Sequence, residues 1–175
     1  DKMKEVSASE AWKKKYPEPV VLVTSTDEEG HANIITLGWS MSTSFVPPMV
    51  AISIGKTRYS HKLITEGKEF VLAFPHEGME KEVLYCGTHS GKEVDKFKET
   101  GLTAVSAKHV RPLLIEECLV NMECRIVGEP DTGDHTVFAG EILAAYAWEK
   151  EGKRLYSLGG DSLGGLKNLT GSGGV

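Results

Sequence analysis

Between Gly30 and Thr65 the chain carries no aspartate and no glutamate, although 25 of its 175 residues are acidic. Inside that window Lys56, Arg58, His61 and Lys62 gather directly after the apolar run Met49 to Ile54, with the hydroxyls of Thr57 and Ser60 among them. Such residues at a strand-to-helix turn are the ingredients of an anion site. Backbone N–H groups at a helix start are unpaired, the helix dipole favours negative charge there, and arginine adds a fork matched to phosphate oxygens. A helix start flanked by solvated basic residues gives the same pattern, so the cluster alone leaves both readings open.

Upstream, the stretch from Asn33 to Ser44 (Asn-Ile-Ile-Thr-Leu-Gly-Trp-Ser-Met-Ser-Thr-Ser) mixes small hydroxyl residues with one glycine and one tryptophan. Its backbone can be approached closely. A flat heteroaromatic ring with carbonyl and imide edges needs backbone donors and acceptors around its rim and an apolar residue such as Trp39 or Met41 against its face. A strand with one polar face and Trp39 in the core accounts for the same residues.

Three short motifs are misleading. Gly55-Lys56-Thr57 resembles the end of a phosphate-binding loop, but that pattern requires glycine at position 50, where Val50 stands in an apolar run. Gly160-Asp161-Ser162-Leu163-Gly164 fits a nucleophile elbow, yet no histidine, aspartate or glutamate follows Ser162 to complete a hydrolase triad. Cys86 and His89 form half a zinc motif without a second half, so no metal site is indicated, and no GxGxxG follows a strand.

The elements that must position these residues can be read from apolar runs and turn signals. Ala8 to Lys15 reads as a short helix, capped by Ser9 and stopped by Pro17 and Pro19, with Trp12 docking it. Pro19 to Thr26 and Ala32 to Thr36, joined by Asp27-Glu28-Glu29-Gly30, read as a hairpin. Met49 to Ile54 and Phe70 to Phe74 read as buried strands; Ser60 to Glu66, Glu77 to Tyr85 and Glu93 to Thr100 read as helices. Cys118 to Val127, Val137 to Trp148 and Arg154 to Leu158 complete six or seven antiparallel strands. In the first of these, alternation puts Met122 and Cys124 inside and Asn121, Glu123 and Arg125 on a solvent face. Hairpins with small intervening helices point to a mainly β fold, a small closed or partly closed antiparallel barrel.

Size and composition agree. The length suits a single domain over residues 1–175, with a helical lead over 1–18 and a glycine-rich tail over 159–175 whose last residues are expected to be loose. A net charge of −5 argues against nucleic acid as a partner. No apolar run approaches the ~20 residues that span a bilayer, and the first residues lead into no signal-peptide core. No membrane partner and a cytoplasmic location are therefore expected. Cys86, Cys118 and Cys124 are odd in number and unpaired in spacing, as reduced thiols are.

Five blocks in order carry a family resemblance. They are Asn33-x-x-Thr36-x-Gly38-Trp39-Ser40; Pro47-Pro48-x-Val50-x-Ile52-Ser53-Ile54; Arg58-Tyr59-Ser60; Cys86-Gly87-x-x-Ser90-Gly91 with Asp95-Lys96-Phe97; and Gly133-Asp134-His135 with Ala139-Gly140-Glu141-Ile142. This order resembles the flavin reductase-like proteins with an FMN-binding split barrel of Greek-key character, the flavoredoxin-type members most closely, over about Pro19 to Gly160. The resemblance implies a homodimer with FMN close to the subunit interface and reducing equivalents drawn from NADH or NADPH for an unknown electron acceptor. The activity implied is that of an NAD(P)H-dependent flavin reductase; the alternative is a flavoredoxin-like electron carrier or storage protein without its own nicotinamide site. By analogy Arg58 and Ser60, with Ser53 and Gly55, would hold the phosphate, and the stretch from Thr36 through Gly38, Trp39, Ser40 and Met41 to Ser42, preceded by Asn33, would hold the ring. Lys96 and His135 would complete the pocket, His135 as a catalytic candidate. The sequence departs from the family at Asp161-Ser162-Leu163-Gly164, where many members carry an aromatic residue.

Overall fold

The computed structural model describes residues 2–165. Four helices, α1 (Ala8–Trp12), α2 (Tyr59–Gly67), α3 (Glu80–Thr88) and α4 (Lys96–Thr100), interrupt thirteen strands among these residues. The strands are β1 (Glu18–Pro19), β2 (Val21–Thr26), β3 (Ala32–Leu37), β4 (Ser40–Phe45), β5 (Pro48–Gly55), β6 (Glu69–Phe74), β7 (Ala104–Val105), β8 (Leu114–Ile115), β9 (Val120–Gly128), β10 (Asp131–Thr132), β11 (His135–Ala147), β12 (Tyr156–Gly159) and β13 (Ser162–Gly164).

The β-branched run Val21 to Thr26 folds back through a turn at Gly30 (φ 88°) onto β3, pairing Val21 with Leu37 and Thr26 with Ala32. The eight-stranded antiparallel sheet runs β3-β2-β6-β9-β11-β5-β4, with β10 on β11. Its two end strands, β3 and β4, are consecutive in the chain and separated by Gly38 and Trp39 alone. Ser53 N–H in β5 donates to the Trp39 carbonyl at 3.0 Å, which carries the β4–β5 ladder up to this corner; with its two ends joined by two residues, the sheet curls round and almost closes on itself. The expected antiparallel split barrel is the fold observed. Val21, Val23, Ile52, Ile54, Phe70, Cys124 and Phe138 fill its interior. A second apolar layer, including Leu22, Ile34, Val83, Cys86, Ile115 and Leu155, lies between the outer face of β2 and β3 and the elements packed over it.

Several expectations are corrected. The cap of α1 is Ser7, whose side chain accepts from Glu10 N–H, rather than Ser9. The stretch Ser40 to Ser44 is an edge strand, paired with β5 from Ser40–Ile52 to Phe45–Pro48, and Trp39 is 42% exposed rather than in the core. The presumed solvent face of β9 is covered. Asn121 and Glu123 are buried beneath the segment 104–118: Asn121 exchanges two 2.8 Å hydrogen bonds with the Ile115 backbone, and Glu123 accepts from Lys108 N–H, His109 N–H and the Tyr146 hydroxyl. The glycine-rich tail begins as a paired hairpin, β12 with β13, turned by Gly159 and Gly160 at positive φ. Ser162 thus sits in a strand, not at a strand-to-helix elbow; residues 166–175 lie outside the described residues. Among the described residues no helix is long and apolar enough to cross a membrane.

Candidate functional site

Helices α2, α3 and α4 pack against β3, and α2 also meets β5. There a cleft of about 500 Å³ opens between β3, the β5–α2 turn, the end of α3 with its following loop, and α4. Ten of the sequence-identified residues line it: Asn33, Thr36, Gly38, Trp39, Ser53, Gly55, Arg58, Ser60, Lys96 and His135. Ser40, Met41 and Ser42 lie beyond the Gly38–Trp39 corner, where they line adjoining grooves.

The helix start at this cleft is chemically open. Arg58 occupies the N-cap position of α2 in extended conformation, and no side chain caps the helix; His61 N–H turns back to the Arg58 carbonyl at 3.0 Å, which leaves the N–H groups of Tyr59 and Ser60 for whatever fills the cleft. Of the four basic residues in the sequence cluster, only Arg58 reaches the cavity. Lys56 pairs with Asp131, Lys62 faces Glu66 one helical turn on, and His61 Nε2 lies 2.8 Å from Thr136 Oγ1 with its ring edge-on to Phe138. Burial and the nearby Lys56 hold the His61 imidazole below its ordinary pKa. The second cation of the cleft comes from far along the chain. Lys96, at the start of α4, is buried and donates to the carbonyls of Ile34 (2.6 Å) and Cys86 (2.8 Å), which leaves one N–H. Burial, and then Arg58, lower its pKa.

At the inner wall, Asn33 Nδ2 donates to Ser60 Oγ at 2.7 Å. Its Oδ1 is buried and accepts from nothing in the protein. A buried amide oxygen without a partner costs about 1–3 kcal/mol, a cost that a ligand N–H or O–H would remove. Thr36 is spoken for: its hydroxyl donates to the Val83 carbonyl at 2.6 Å and fixes β3 to α3. At the rim, the Trp39 and His135 rings meet at a tilt of 38° with centroids 4.7 Å apart, and His135 Nδ1 lies 2.6 Å from Asp134 Oδ1. The Trp12 ring meets Trp39 edge-on, and Lys15 Nζ lies 5.0 Å from the Trp39 ring centre.

Thr57, a hydroxyl of the sequence cluster, also lines the cleft, as do residues not foreseen as ligands, among them Tyr59 and the Thr88–Gly91 loop. The last was visible only as part of a motif block. Glu18 and Glu93 reach the cavity as well. The segment free of carboxylates in sequence is therefore not free of them in space, although Glu18 is paired with Lys15 at 2.9 Å.

Comparison with known proteins follows this geometry. Residues 13–161 match the flavin reductase like domain. The chain is 43% identical to an uncharacterized protein of Archaeoglobus fulgidus, covering 73% of this chain and 71% of the other. It is 30% identical to an NADH-dependent FAD reductase of Streptomyces globisporus, covering 82% and 78%. Among solved structures it superposes on a flavoredoxin from Methanosarcina acetivorans with TM-score 0.75 and 33% identity, over 85% of this chain and 76% of that one. On these grounds the chain belongs to the flavin reductase-like domain family, an oxidoreductase family.

Proposed function

We propose that the cleft binds FMN and that the protein is an NAD(P)H-dependent flavin reductase. The observation that carries this reading is one cavity holding both an uncapped helix start with Arg58 and the orphaned acceptor Asn33 Oδ1. The first suits the phosphate of a mononucleotide; the second suits a donor elsewhere on the same ligand. The similarity to an NADH-dependent FAD reductase and to a flavoredoxin supports it.

When bound, the flavin supplies hydride acceptance from the nicotinamide and onward electron transfer. The chain's own residues bind and orient. Arg58 and the N–H groups of Tyr59 and Ser60 at the start of α2, with Ser53, Gly55 and the Ser60 hydroxyl around them, hold the phosphate. Asn33 Oδ1 and the remaining N–H of Lys96 take polar atoms deeper in the cleft, and the backbone from Thr36 to Trp39 faces the ring. His135, steadied by Asp134 and Trp39, is the group placed to move a proton at the rim. A second copy of the chain would pack on the far end of β4 and the residue after it, where Phe45 and Val46 are bare.

Purified protein should be yellow, or turn yellow on adding FMN, and should oxidise NADH or NADPH with FMN present. Colourless protein that takes up no FMN overturns the reading. A second reading, an electron carrier without its own nicotinamide site, is favoured by the flavoredoxin likeness. Anaerobic rapid mixing separates the two: fast bleaching by NADH or NADPH marks the reductase, and bleaching that needs a partner reductase marks the carrier.

A further inference from the structure

On the other side of the Gly38 corner, the mouth of the barrel holds a groove of about 450 Å³. Much of its wall is apolar, from Met41, Val50, Leu72, Phe74, Met122 and Ile142, and Ser40 and Ser42 of β4 border it. One cation, Arg154, lies among them. Its guanidinium sits 3.9 Å from the Phe74 ring centre. Nη2 donates to the Val20 carbonyl at 3.3 Å, and Nε is enclosed without any partner. Among the described residues no carboxylate pairs with Arg154. Glu18 reaches the same groove, but its carboxylate is engaged by Lys15 and packed against Gly38.

A half-buried guanidinium with one N–H on a carbonyl and Nε enclosed without a partner is costly beside apolar walls unless an anion completes it. Burial acts on Arg154 in that sense, lowering its pKa. The complement must be a single small anion, because Glu18 at the same groove disfavours a multiply charged one. Its remainder should be largely apolar, because Val50, Leu72, Phe74, Met122 and Ile142 form one continuous wall, with the hydroxyls of Ser40 and Ser42 confined to the β4 side. We infer that this groove binds a carboxylate carrying an apolar body, with the carboxylate on Arg154 and the body along Leu72, Phe74, Met122 and Ile142. The site is separate from the cleft and does not depend on a flavin being bound.

The test uses two near-isosteric probes, 3-phenylpropanoate and 3-phenylpropanamide, titrated into the full chain labelled at its methionine methyl groups. The acid should shift the Met41 and Met122 signals while leaving buried Met79 in place, and should bind roughly tenfold or more tighter than the amide. Arg154→Met should abolish that preference with Met79 unchanged, and Arg154→Lys should keep part of it. Should the methionine variant fail to fold, the comparison of acid with amide on the native chain still decides. Equal affinities, absence of any shift because a second copy of the chain covers the groove, or shifts away from Met41 and Met122 would each overturn the assignment.

Discussion

Asn33 and Ser60 stand 27 residues apart and share a buried 2.7 Å hydrogen bond that ties β3 to the first turn of α2. The bond sets the orientation of the Asn33 amide and leaves Oδ1 as an open acceptor. Gly91 lies directly above it: an added Cβ would collide with that oxygen. Gly91→Ala should therefore push the amide aside, weaken FMN binding roughly tenfold or more, and lower thermal stability as the buried Asn33–Ser60 bond is disturbed. Fluorescence titration of FMN beside a melting curve reads both.

Arg58 is the one member of the sequence cluster that reaches the cleft. Replacing it with alanine removes a charge-assisted phosphate contact and should weaken FMN affinity by about 1.5–3 kcal/mol, whereas Lys62→Ala should leave affinity unchanged. Equal losses in the two variants, measured by the same titration, would place the phosphate elsewhere.

The carboxylate of Glu123 is buried, and burial alone pushes its pKa up. The Tyr146 hydroxyl and two backbone N–H groups more than offset this and hold it below the usual 4.5. A carboxyl that the folded chain protonates less readily than the unfolded chain adds stability that is fully present above the unfolded value and is lost as pH falls through the lower folded one. Acid unfolding should thus steepen below about pH 4.5. Glu123→Gln should cost about 1–3 kcal/mol at neutral pH and flatten that part of the acid curve, as urea melts across pH would record.

Burial raises the pKa of all three thiols, Cys86 to about 11 and Cys124 to about 12, with Cys118 shifted in the same direction. None carries appreciable thiolate at pH 8. A thiol reagent should label the native chain slowly and label three groups at once in denaturant; rapid native labelling of Cys86 would show that the cleft wall opens.

Phe45 and Val46 are 96% and 91% exposed at the end of β4. If a second copy covers this edge, Phe45→Asp with Val46→Asp should convert a dimer to a monomer in light scattering, with secondary structure retained. A wild-type chain that is monomeric at micromolar concentration contradicts the proposed assembly.

The sequence was legible where local chemistry and tertiary surroundings agree. The hairpin of β2 and β3 follows from a β-branched run, a charged turn with Gly30, and a second apolar run. The strand β4 was legible only as one of two open readings, because its serines and threonine give no apolar alternation and it is held by pairing with β5 from one side. Glu123 and Asn121 alternate as a solvent face would, and only the distant segment 104–118 turns that face into an interior. The same limit applies to charge. Four basic residues close in sequence point in different directions once α2 turns about 100° per residue, while Lys96, Glu18 and Glu93 arrive at the cleft from outside the window.

Gly38 is a partition one residue thick. It borders the cleft on one side and the barrel mouth on the other, and a methyl group there would lie 2.5 Å from Glu18 Oε1. Both chambers share this wall, so neither can be resized at position 38 without intruding on its neighbour, and evolution must adjust their ligand preferences from the far sides.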